Sequence, residues 1–193
     1  MDKKMGMLGI GALVLAMAAG NAMAQERKAE EAPTRAQVLD ALVSNAEREV
    51  VPAAEAMPEE KYSFVPSNGE FKGTRSFAEQ IRHVAAANYQ LAARILGEKL
   101  PAGKVGAKSE TAPDSVQTKA QVMEYLRGSF AYLHKAVNSI DAANEVDPIP
   151  GIKGVWEKTR LGAAVDAIAH TYDHYGQMVE YLRMNGIVPP ASR

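Results

Sequence analysis

The stretch SFAEQIRHVAAANYQLAARILG, Ser76 to Gly97, holds a complete helix between its own start and stop signals. Ser76 and Glu79 form a capping box: the hydroxyl accepts from the third helical N–H while the carboxylate reaches back to the cap. Behind it Phe77, Ile81, Val84, Leu91 and Ile95 recur at helical spacing. Gly97 then supplies the residue that most readily ends a helix in a left-handed turn. The same start appears at Thr34-Arg35-Ala36-Gln37 and again at Thr118-Lys119-Ala120-Gln121. A fourth start at Thr159 has Gly162 in the reciprocal position and so lacks half of the box.

Each start opens an amphipathic run. Leu39, Val43, Ala46, Val50 and Met57 share one stripe of the first, with Pro52 placed to kink it. Val122, Leu126, Leu133, Val137 and Ile140 mark the third. In the fourth, Leu161, Val165, Ile168, Tyr172, Tyr175, Val179 and Leu182 form the large apolar face that the spacing predicts to be buried, before Asn185-Gly186 and Pro189-Pro190 end it. Four long helices without a strand pattern predict an all-α four-helix bundle. Short links force antiparallel neighbours, but the link from Gly97 to Gln117 is long enough to let the second and third helices run parallel. Tyr62-Ser63-Phe64-Val65-Pro66 reads as an extended aromatic segment packed across the bundle.

Composition bounds the rest. Lys3 and Lys4, the uncharged apolar run from Met5 to Gly20, and Ala22-Met23-Ala24 read as a signal peptide cleaved after Ala24, with an uncleaved anchor as the alternative. The mature chain would be periplasmic or secreted and would not stay inserted in a membrane. Residues 25–33 form a polar leader, and 34–190 one domain. The mature chain carries 20 basic and 22 acidic residues with no tract of either sign, which argues against a nucleic-acid partner. The absence of cysteine excludes a disulfide scaffold, thiolate-bound zinc, covalent c-type haem and thiol nucleophiles.

Two of the four histidines, His170 and His174, lie four residues apart on one helix face, where two imidazoles can share an ion. Helical projection puts them with Gln177 at the border of the fourth helix's solvent stripe, beside Ala163 and Ala167. His83 on the second helix is the best third ligand, and His134 is left out. Packing histidines, satisfied by ordinary hydrogen bonds, are the competing reading for all three. Asp166, one turn before His170, is a candidate to orient an imidazole, and Asp166 or Gln177 could close the coordination of a purely structural site. Tyr89, Tyr172 and Tyr175 are candidate pocket walls, and Asp166, Asp173 and Glu79 candidate general bases by type alone. Trp156 reads either as a substrate wall or as a plug at the bundle end.

The segments Phe77-Ala78-Glu79-Gln80-Ile81-Arg82-His83 and His170-Thr171-Tyr172-Asp173-His174-Tyr175-Gly176-Gln177, with Tyr181-Leu182-Arg183 and Gly186 to Pro190 beyond, resemble the DinB/YfiT-like family of metalloenzymes. The resemblance implies an up-down-down-up bundle with one divalent ion, zinc or nickel, on His83, His170 and His174. It also implies a metal-dependent hydrolase or transferase acting on a small-molecule substrate. Characterised relatives include thiol-dependent transferases and isomerases, and the export signal here departs from them because their low-molecular-weight thiol cosubstrates are chiefly cytosolic. A non-enzymatic metal-binding or metal-stapled bundle is the alternative. Haem bound through histidine and Met123 or Met178 suits the HxxxH pair less well, and the paired Glu-x-x-His elements of a di-iron site are absent. Association as a homodimer is compatible with the sequence.

Overall fold

The computed structural model describes residues 32–106, 110–154 and 158–193. The expected signal peptide, all but the end of the leader, and Trp156 lie outside them. Thr34–Arg193 forms one compact unit. It is built on α1 (Arg35–Ala56), α2 (Phe77–Leu96), α3 (Lys119–Val137) and α4 (Arg160–Met184). Single 3-10 turns lie at Glu59–Lys61 and Pro190–Ser192.

All three capping boxes close as the sequence predicts: the Thr34, Ser76 and Thr118 hydroxyls accept from the Gln37, Glu79 and Gln121 amides. Thr159 caps α4 by accepting from the Gly162 amide, with no reciprocal bond. Gly97 ends α2 at φ +67°, a conformation that costs a residue with a side chain but not glycine. α1 continues through Pro52 for a further turn. Tyr62 packs edge-on against Phe77 and Phe64 edge-on against Tyr181, with Phe77 and Tyr181 tilted together, across one end of the bundle, and the Tyr62 hydroxyl donates to the Ala54 carbonyl.

Cross-helix contacts fix the directions. Gln80 meets Gln177, His83 meets His170, and Arg160 reaches the Ile95 carbonyl, so α2 and α4 are antiparallel. Asn88 meets Ser129, and Glu98 meets Tyr132 and Lys135, so α2 and α3 are parallel. Asp40 meets Asn138 and Glu55 meets Arg127, so α1 and α3 are antiparallel. Lys61 reaches the Asn185 carbonyl just beyond α4, while Arg35 pairs with Glu145 ahead of it, which makes α1 and α4 parallel. The order is up-down-down-up. α2 and α3 can run parallel only because the crossover between them travels the length of the bundle.

The centre is filled by Phe77, Ile81, Ile95, Leu126, Phe130, Leu133, Met178 and Leu182, all removed from water. Within it, Asn88 of α2 donates to Ser129 of α3, while the Thr171 hydroxyl of α4 donates to the Ala167 carbonyl at 2.7 Å and lies 3.4 Å from Asn88 Oδ1. α4 departs from the periodicity reading. Its buried line is Ala163, Ala164, Ala167, Thr171, His174, Met178, Tyr181 and Leu182; of the expected face only Leu182 is fully buried, Leu161, Ile168, Tyr172 and Tyr175 pack against the core partly covered, and Val165 is 52% exposed. Small side chains face the neighbouring helices, and the bulky ones flank the close approach. Among the described residues no helix is long and apolar enough to cross a membrane.

Candidate metal centre

The antiparallel pairing of α2 and α4 sets His83 opposite the turn carrying His170 and His174. The three rings pack edge-on with centroids 4.5 to 4.9 Å apart. One nitrogen from each lies within 4.8 Å of the other two. Among the described residues this is the one group of histidine or carboxylate side chains so arranged, and no carboxylate belongs to it.

The outward bonds decide which nitrogens turn inward. His83 Nδ1 lies 2.8 Å from the Glu110 carbonyl oxygen, which only accepts, so Nδ1 carries a hydrogen and in the neutral tautomer the lone pair falls on Nε2. His174 Nδ1 lies 2.7 Å from Gln80 Oε1, with the same consequence. His170 Nε2 stands 3.1 Å from His83 Nε2. Nitrogens bound to one tetrahedral ion at about 2.0–2.1 Å are about 3.3 Å apart, so the spacing fits shared ligation. His170 Nδ1 is buried without a hydrogen-bond partner, a cost accepted for the position of that ring.

Burial holds His170 below the usual histidine range, reinforced by the neighbouring His83. Burial, with His170 and His83 beside it, pulls His174 down to about 4. Both rings are therefore neutral near pH 7, the form that binds a metal without first losing a proton.

Comparison with models of known protein families adds the lineage: the DinB superfamily model matches residues 42–178. The chain belongs to the DinB superfamily. Comparison with curated proteins finds no match. The matched span of this DinB chain contains α2, α3 and the part of α4 that carries both histidines.

Other expected residues go elsewhere. Asp166 does not orient an imidazole: the Glu110 carbonyl and the Gln80 amide do so, and His170 Nδ1 stays unpaired. Gln177 is engaged with Gln80 and Asp173 rather than with the histidines. Tyr89 stacks with Tyr125 and Tyr132 between α2 and α3, and Tyr172 and Tyr175 are half-buried beside α1. The cleft of about 90 Å³ beside His83 is lined instead by Arg75, Glu79, Arg82, Glu110 and Thr111. His134 bridges Asp40 at 2.7 Å and Glu47 at 3.2 Å, tying α3 to α1 far from the centre. The sequence reading missed Gln80 and Glu110: a glutamine reads as surface, and a backbone carbonyl on a crossover has no sequence signal.

Proposed function

We propose that this DinB chain is an exported protein that holds one divalent transition-metal ion, zinc or nickel, on His83, His170 and His174, and that it is a metal-dependent hydrolase or transferase of a small molecule. The observation that carries this reading is the convergence of three imidazoles, two of them oriented by outward hydrogen bonds, with no carboxylate among them. Three protein ligands without a fourth are the arrangement of catalytic rather than structural zinc sites. A bound ion would supply Lewis acidity toward an oxygen or sulfur of the substrate. Arg75, Arg82 and Thr111 line the mouth beside His83 and would bind and orient the rest of that molecule. Glu79 lies there too, but its bond from the Ser76 amide keeps its carboxyl below the usual range, which suits it to capping better than to taking up a proton.

Elemental mass spectrometry of the mature chain, purified from the exported fraction, tests the site. About one equivalent of zinc or nickel is expected, lost in a still-helical His170→Ala/His174→Ala variant. An unloaded chain that also takes up nothing on reconstitution would remove the site. A loaded chain inert across a metal-dependent substrate screen, with a fourth protein ligand in its metal spectrum, would favour the stapled bundle.

A further inference from the structure

A chain of side chains leads from the centre to the surface. His174 Nδ1 lies 2.7 Å from Gln80 Oε1, Gln80 Nε2 lies 2.8 Å from Gln177 Oε1, and Gln177 Nε2 lies 3.3 Å from Asp173 Oδ2. Gln80 is 1% exposed and Asp173 is at the surface. The chain has one direction only. An ionised carboxylate can accept but not donate, so the Gln177 end facing Asp173 must be the amino group. The Gln177 oxygen then faces Gln80, which must present its own amino group, and the Gln80 oxygen is left for His174. An oxygen there demands a hydrogen on Nδ1, and the lone pair falls on Nε2, the nitrogen turned toward His83 and His170.

We infer that Asp173, acting through Gln177 and Gln80, is a positioning residue that sets the tautomer of His174 and so makes its Nε2 a ligand. The inference deepens the metal-site reading, yet the tautomer belongs to the metal-free protein and can be read without any ion. Both ends of the device sit on α4, one residue apart, and the middle is on α2. It therefore operates only when the two helices are docked in register.

Nitrogen-15 correlation spectra of the imidazoles of the full mature chain test it, with the His174 signals assigned by their loss in His174→Gln. In metal-free wild type, His174 is expected as the Nδ1–H tautomer. Asp173→Lys replaces the acceptor with a group that only donates, reversing the chain and moving the hydrogen to Nε2. Gln80→Leu removes the fixed acceptor, leaves a mixture of tautomers, and lowers zinc affinity in chelator competition by about 10–100-fold. Asp173→Asn, which can still accept, should keep the wild-type signal. An Nε2–H tautomer in wild type, or a tautomer indifferent to Asp173→Lys, would overturn the inference. A wild type that shows the Nδ1–H tautomer but binds no zinc would leave the device standing and refute the metal site alone.

Discussion

Gly128 shows how tightly single residues are specified. A Cβ built there would stand 2.6 Å from the Tyr89 hydroxyl oxygen, at the end of a stiff ring held between Tyr125 and Tyr132. Gly128→Ala should therefore destabilise by about 1–3 kcal/mol through overpacking, although alanine is the better helix former. In a Tyr89→Phe background the clash is gone, and the same substitution should stabilise by about 0.5–1 kcal/mol. Urea midpoints of the four chains check the reversal of sign, and a cost of Gly128→Ala left unchanged by Tyr89→Phe would refute it. Neither this contact nor the Gln80 amide was legible in the sequence, because each depends on which residue of another helix stands opposite. The three histidines were legible as candidates, since i and i+4 on one helix guarantees proximity whatever lies across from it.

Helix boundaries were the most readable feature, because a cap is a local device whose chemistry is complete within four residues. Thr118→Ala should cost about 1 kcal/mol, measured as a shift in urea midpoint with unchanged slope. The Ser76 box adds a pH dependence. The bonds from Ser76, backbone first, together with Arg82 and Arg75, hold Glu79 below its ordinary 4.5. Between that value and the lower folded one, the unfolded chain binds a proton that the folded chain does not, so stability rises with pH across the interval. The contribution is complete above about pH 4.5 and is lost as the pH falls through the folded value; Glu79→Gln should flatten this part of the stability profile. The buried face of α4 was misread in part for a physical reason. Hydrophobic periodicity weights residues by size, whereas a helix packed closely on both sides selects Ala163, Ala164, Ala167 and Thr171 for the contact and leaves Val165 outside.

At the scale of the whole molecule, candidate ligands on two helices would make metal binding and folding one equilibrium. If zinc binds only the folded chain, free zinc at 100 times its dissociation constant should stabilise by about 2.7 kcal/mol. Thermal melts in zinc and in chelator should differ in the wild type and coincide in His83→Ala. The up-down-down-up order was legible only in part: the long link after Gly97 permitted parallel neighbours, and the contacts of Asn88 and Glu98 with α3 establish them. The spacing of the ligands has a temporal consequence. His83 and His170 are 87 residues apart, and no two helices that adjoin along the chain contribute to the centre. Over those 87 residues a growing chain has a single one of the three imidazoles, and a lone imidazole has little power to retain an ion. The candidate site comes into being only when the last helix docks, so any ion it captured would be drawn from whatever surroundings the chain occupies when it finishes folding.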